Sequence, residues 1–206
     1  NKLRLTYEGE QGTYILKPIP RDIKNMGQVP ANEHLTMQIA RQVYGLQTAE
    51  NALIFFDNGE PAYITKRFDV KGDDLKWGKE DFATLAEKTE ENAGANFKYN
   101  YSYEKIGQLI HQYIPAARIE IEKFFAMVIF NYLFSNGDAH LKNFSVLETS
   151  SGDRILSPAY DLINTRIHGD DTYMALHEGL FENDFETDSY KANGYFAFDD
   201  FLEFYE

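Results

Sequence analysis

The stretch 136-NGDAHLKNFSVL-147, running from Asn136 to Leu147, follows directly on an almost unbroken apolar run, Phe124 to Phe134, FFAMVIFNYLF. Within it stand Asp138, His140, Lys142 and two asparagines, Asn136 and Asn143. The apolar run, with ARIEIEK before it, predicts one long helix whose second half is apolar on most sides and therefore central to its lobe. FSVL, rich in apolar residues and followed by the turn SSGD, predicts a strand that pairs with RILSPAYD in a hairpin. The polar residues between helix and strand have two readings. They are a helix-terminating loop, with Asn136 and Gly137 as the stop, Asp138 as a turn residue and His140 as a structural histidine, or they are side chains aimed at a reaction centre from a rigid mount.

Working outward, the residues before the long helix predict two shorter ones, KEDFATLAEKT and YSYEKIGQLIHQY. Upstream of Phe68 the character is different. Leu3 to Tyr7 and Tyr14 to Leu16 flank a glycine-bearing turn and read as a β-hairpin, and NALIFF and PAYITKRF flank DNGE and read as a second. Between them PANEHLTMQIARQVYGL has helical apolar spacing from about Asn32 to Tyr44, closed by Gly45. The polar segment Asp69 to Lys79 reads as a crossover and Asp184 to Gly194 as a loop. FDDFLEFYE reads as a final helix capped by Asp199 or Asp200. The fold class expected is α+β and two-lobed, with a small antiparallel β-rich lobe holding one helix over 1–68 and a larger, mainly helical lobe over 69–206.

Composition narrows the function classes. A chain of 206 residues with 43% hydrophobic content can bury a core of this size. Without cysteine there is no disulfide or thiolate metal site, which suits a reducing cytoplasm. The longest apolar run is well short of the roughly 20 residues that span a bilayer, so no membrane span is expected. A formal charge of -13 repels nucleic acid and nucleotide phosphates alike, so direct nucleic-acid binding is not expected and any phosphate site has to rest on local lysines and a divalent metal. The five histidines show no metal-ligand spacing, and the aromatic-rich helices read as core.

Asp138 and Asn143 have the D-x-x-x-x-N spacing of a protein-kinase catalytic loop. There the aspartate accepts a hydrogen bond from the attacking hydroxyl and the asparagine oxygen ligates magnesium. Asp161, in SPAYDLINT, returns after a hairpin of suitable length, and a carboxylate behind apolar residues needs a partner. Oxygen ligands from Asn143 and Asp161, completed by phosphate and water, suit magnesium. Lys17 ends the strand TYILK and Glu33 opens the helix of the same lobe, as in the kinase lysine–glutamate pair. Solvent exposure explains Lys17 equally well at this level, and the helix dipole alone favours Glu33.

With these residues in view the chain resembles the HipA-type toxin kinases, bacterial serine/threonine kinases with a protein-kinase-like fold. The resemblance runs from about Leu3 to Ala175 and rests on NGDAHLKNFSVL with LSPAYDLI, supported by YILKP, NEHLTMQIA, ITKRFDV and the pair Lys98 and Tyr99. It implies ATP and Mg2+ as cofactors, Asp138 as catalytic base, Lys142 as a charge stabiliser near the transferred phosphate, Asn143 and Asp161 as metal ligands, and Lys17, positioned by Glu33, as the phosphate lysine. His140 matches too, more as support of the loop than as a reacting group. Lys66, Arg67 and Phe68 become the interlobe hinge that reads adenine through backbone groups; the family's usual acidic residue is replaced by Lys66. A glycine-rich loop before Asn1 and further helices beyond Glu206 are expected, so the chain reads as cut at both ends. Implied partners are a DNA-binding antitoxin and a protein substrate of translation such as an aminoacyl-tRNA synthetase. A small-molecule kinase of the same fold, or a non-catalytic module that holds nucleotide or antitoxin, remains open.

Overall fold

The computed structural model describes residues 12–72, 75–183 and 185–206. Strands β1 (Tyr14–Pro18), β2 (Asn51–Phe55) and β3 (Pro61–Lys66) form one antiparallel sheet in the order β1-β3-β2. β3 is central and buries Ala62 and Tyr63. The turn DNGE joins β2 to β3 as its sequence predicts, with Gly59 at φ 82°. The partner expected for β1, Leu3 to Tyr7, lies outside the described residues; the neighbour of β1 in the sheet is β3.

Helix α1 (Val29–Gln42) packs on β2 and β3 through Glu33, Thr36, Met37 and Ala40, an i, i+3, i+4, i+7 stripe. It begins three residues before the expected Asn32, because Pro30 occupies the first turn, where an amide without a hydrogen loses no helix bond. It ends at Gln42 rather than Tyr44, and Gly45 takes the left-handed conformation (φ 68°) just beyond.

The expected crossover from Asp69 to Lys79 contains strands. β4 (Val70–Gly72) pairs with β5 (Leu75–Lys76), and β6 (Lys79–Asp81) pairs with β7 (Ser145–Glu148), which pairs with β8 (Arg154–Leu156). Elements of two or three polar residues carry no apolar alternation, so nothing in the sequence marks them. Four helices then build the larger lobe: α2 (Phe82–Leu85), capped by Asp81; α3 (Glu90–Ala93), capped by Thr89; α4 (Tyr103–Tyr113), capped by Ser102; and α5 (Ala117–Leu133). No described helix is long and apolar enough to cross a membrane.

α5 is the axis of this lobe. Its buried face runs Glu120, Phe124, Met127, Val128 and Asn131. Phe124 meets Phe144 edge-on at 5.4 Å and Tyr103 at 6.4 Å, so helix, neighbouring helix and the strand after the polar loop share one aromatic core. The residue that turns the chain out of α5 in the left-handed region is Ser135 (φ 51°), not Gly137.

Two expectations near the end are corrected. The segment read as loop contains α6 (Asp188–Asn193), whose first turn is capped by Thr187 and which ends at Gly194. The final helix, α7 (Phe198–Tyr205), starts ahead of the expected caps Asp199 and Asp200. Asp200 acts from inside that helix. Fully buried, its carboxylate accepts hydrogen bonds from the Ala197 N–H at 2.6 Å and from the hydroxyls of Thr187 and Ser189, and so ties α7 to α6.

Glu120 holds α5 to β8. Its carboxylate, 3% exposed, accepts the Leu156 N–H at 2.9 Å and pairs with Lys123 at 2.7 Å. Glu120→Ala leaves a buried amide unpaired and should lower stability by about 1–3 kcal/mol in urea denaturation; an unchanged midpoint would show that Glu120 does not hold β8 in place.

Candidate active site

The polar loop after α5 is fixed by hydrogen bonds from three directions. The amide of Asn136, 2% exposed, donates to Asn131 Oδ1 at 2.8 Å and to the Asp161 carbonyl at 3.3 Å, while its oxygen accepts the Asp138 N–H at 3.3 Å. The buried Tyr103 hydroxyl donates to the Ala139 carbonyl at 3.0 Å. The Leu141 N–H donates to the Lys98 carbonyl at 3.1 Å. These bonds hold the loop in one arrangement, which either of its two sequence readings allows.

From this loop the Asp138 side chain stands half-exposed. Oδ1 accepts the Tyr99 hydroxyl at 2.6 Å, with Lys98 Nζ at 4.0 Å and His140 Nε2 at 3.6 Å. Burial, followed by the contact with Asp138, pushes the Tyr99 phenol up, so it stays protonated and donates. Burial holds the His140 imidazole below its usual range against the opposing pull of Asp138, so it is neutral at pH 7. Its ring stands edge-on to Tyr99, centroids 5.2 Å apart.

Lys17 joins the lobes. Its ammonium bonds Glu33 of α1 at 2.8 Å and also the carboxylate of Asp161, with the Tyr63 ring 5.6 Å away. Burial pulls the Lys17 pKa down, but the two carboxylates outweigh it and the pKa stands above its usual value. Burial pushes the Glu33 carboxyl up to about 7, an effect that Lys17 opposes. Asp161 sits at φ 56°, in the left-handed region that aspartate tolerates better than most residues. The backbone just before it is held to the β-rich lobe, since Ala49 N–H donates to the Ala159 carbonyl at 2.9 Å and Ala159 N–H to the Gln47 carbonyl at 2.8 Å.

Asn143 Oδ1 is buried and has no hydrogen-bond partner among the described residues. A buried carbonyl-type oxygen in that state fits a hard divalent cation that draws its remaining ligands from carboxylate, phosphate and water. No cluster of three or more acidic, histidine or cysteine side chains able to hold a metal occurs among the described residues.

Lys142 is placed differently from the others. Its backbone carbonyl accepts the Tyr160 hydroxyl at 2.7 Å, while its exposed ammonium lies 5.9 Å from the Phe97 ring and pairs with no described carboxylate. In the segment expected as the hinge, Lys66 pairs with Glu50 at 3.2 Å and Arg67 grips Asp69 with two bonds, at 2.9 and 2.6 Å. The N–H groups of Lys66 and Arg67 are committed to the carbonyls of Glu50 and Thr13. The Phe68 N–H has no backbone partner among the described residues, and its ring lies 5.5 Å from Tyr160.

The structure thus gathers Lys17, Glu33 and Asp161 into one ionic cluster and sets Asp138, His140 and Asn143 on one loop. Lys66 and Arg67 turn to carboxylates of their own. Asp69, Asn136 and Tyr160 were not among the candidates, and Tyr99 stood only as half of a motif pair. Asp69 was within ITKRFDV and Tyr99 beside Lys98, so both were on view without a role; the asparagine and Tyr160 contacts depend on pairings no local pattern reveals.

Comparison with known proteins places the chain in a family. Residues 1–200 match the HipA-like C-terminal domain family. A Haemophilus influenzae protein named "Putative kinase" is 31% identical over 75% of this chain and 46% of its own length, and a Sinorhizobium fredii protein named "Putative kinase Y4dM" is 32% identical over 82% and 42%. The chain therefore spans less than half the length of these relatives. Among solved structures it resembles the Shewanella oneidensis MR-1 toxin–antitoxin complex of HipA, HipB and operator DNA, with a TM-score of 0.64 and 25% identity over 84% of this chain and 45% of that one. It shares its fold with the Helicobacter pylori proinflammatory kinase CtkA, with a TM-score of 0.57 and 21% identity over 77% and 52%. A family model that spans nearly the whole chain and relatives above 30% identity settle the membership: the chain belongs to the HipA-like C-terminal domain family.

Proposed function

We propose that this chain is the core of an ATP- and magnesium-dependent protein serine/threonine kinase of the HipA type. The observation that carries the reading is Lys17 bridging Glu33 and Asp161 across the lobes, with Asp138 and Asn143 presented on one fixed loop. In phosphoryl transfer the protein has little covalent chemistry to do, and positioning and charge supply the rate.

Asp138 accepts the proton of the attacking hydroxyl. The Tyr99 phenol already on Oδ1 fixes the carboxylate rotamer and leaves Oδ2 for the acceptor. Asn143 and Asp161 are the residues to hold magnesium, which would neutralise charge on the phosphates. For Asp161 to serve, Lys17 has to share its ammonium between that carboxylate and the nucleotide, with Glu33 keeping it in place. Lys142, solvent-facing and paired with no carboxylate among the described residues, is free to swing toward developing charge. The Phe68 N–H is the hinge donor open to a base.

By its resemblance to HipA-type toxins, the protein would work in the cytoplasm, paired with a DNA-binding antitoxin, on a translation protein such as an aminoacyl-tRNA synthetase. HipA of the Shewanella complex is solved with HipB and operator DNA, which supports the antitoxin partner.

Asp138→Asn should retain ATP binding and lose about 10²- to 10⁴-fold in transfer to a serine peptide; equal activity in both proteins would remove Asp138 from the mechanism, and preferential transfer to small hydroxyl compounds would favour the small-molecule reading. Asn143→Ala should raise the magnesium concentration needed for half-maximal nucleotide binding while leaving the melting temperature of the magnesium-free protein nearly unchanged. A pH effect follows from Glu33. Its folded-state pKa of about 7 exceeds its ordinary value of 4.5, so its contribution to stability is fully present below about 4.5 and is lost as pH rises through about 7. Denaturation across that window should show a downward slope with pH that Glu33→Gln reduces.

A further inference from the structure

A groove of about 1090 Å³ opens beside the loop, with Gly137 and Asp138 in its wall and the segment 168–179 along it. It is larger than the usual small-molecule pocket of about 300–1,000 Å³. Neither lysine nor arginine lines it among the described residues, but Asp170, Asp171, Glu178 and Glu186 do. Glu178 is spoken for by Lys105 at 2.6 Å. Asp170, Asp171 and Glu186 pair with no cation among the described residues. The two histidines of the wall, His168 and His177, are each engaged with an asparagine at 2.8 Å.

Asp171 is placed with particular closeness to the reaction centre. A Cβ on Gly137 would meet its carboxylate at 2.5 Å, so glycine beside Asp138 is what lets this second negative charge lie against the loop. Phe185 and Tyr195, each about half-exposed, add aromatic surface to the same groove, whereas the Tyr173 ring is already covered by the Arg166 guanidinium, 4.4 Å from its centroid. Carboxylates spaced among aromatic rings suit long cationic side chains, whose stems lie on the rings while the heads reach the charges. The same field repels an anionic polymer such as RNA.

We propose that this groove binds an extended, cationic polypeptide segment carrying the acceptor hydroxyl, with a lysine or arginine next to that hydroxyl reaching Asp171. The identity of the hydroxyl as acceptor rests on the kinase reading above; the binding of the cationic segment does not.

The test is a fluorescence-anisotropy titration of the intact protein with three labelled peptides of equal length and a central serine, flanked by Lys/Arg, by Gln or by Glu. The basic peptide should bind about tenfold or more tighter than the Gln peptide, and the difference should collapse near 1 M salt, where the screening length is about 3 Å. Joint substitution Asp170→Asn, Asp171→Asn and Glu186→Gln should abolish the preference. Neutralising Asp57, Glu80 and Glu122, three exposed carboxylates outside the groove, should leave it intact. Equal binding of the three peptides, or equal loss in the two triple variants, would overturn the proposal, the latter by showing attraction to the overall charge alone. Because binding is read without turnover, a selective but catalytically silent protein would sink the kinase reading and leave the groove assignment standing.

Discussion

The side chain of Asn136 is the constraint on which the site depends. Three of its hydrogen-bonding positions are used at once, toward Asn131 at the end of α5, toward the Asp161 backbone and toward the Asp138 N–H. A buried amide is costly unless its bonds are made, and when made they specify one arrangement. The two aspartates, 23 positions apart in sequence, are thereby located relative to one helix. The aromatic contacts of Phe124, Phe144 and Tyr103 beneath the loop hold that helix in turn.

The Lys17 cluster depends on this geometry and adds the other lobe to it. Glu33 comes from α1 and Asp161 from the larger lobe, so the ammonium is satisfied only when the two lobes are in register. A half-exposed ion pair contributes little to stability, and the cluster is better read as an alignment device than as a source of it. Backbone bonds between 47–49 and Ala159 do the mechanical joining. Burial weighs on Glu33 more than on Asp161, so the carboxylate least able to stand alone is the one on the same lobe as the lysine, and the more exposed one remains free to serve a second ligand.

How much of this was legible follows from the range of each signal. Helices α1, α4 and α5, the hairpin β2–β3 and the hairpin β7–β8 announce themselves through local periodicity and turn residues, and Asp138, Asn143 and Asp161 through spacing. β4, β5 and β6 are too short to have a period. α6 lies in a polar stretch whose helix is set by the Thr187 cap and by the buried Asp200, twelve positions beyond the helix's own first residue. The hinge shows the same limit. The resemblance expects Lys66, Arg67 and Phe68 to read a base through backbone groups, yet the Lys66 and Arg67 N–H groups go to Glu50 and Thr13, and among the described residues only the Phe68 N–H of the three has no backbone partner.

A chain carrying a formal charge of -13 cannot gather phosphate by its overall field, and the arrangement around Asp138 shows how opposite demands can be separated within a few residues. Lys17, Lys98 and Lys142 stand on or beside the elements that present Asp138, Asn143 and Asp161, whereas the groove in front of Asp138 holds carboxylates and no lysine or arginine among the described residues. Asp138 lies on the boundary. An anionic donor on one side and a cationic acceptor on the other would each meet complementary charge only if they approach from opposite faces of the loop, and the close approach of Asp171 at Gly137 sharpens that boundary at the Asp138 carboxylate. Local placement, rather than net charge, then decides which partner reaches which side.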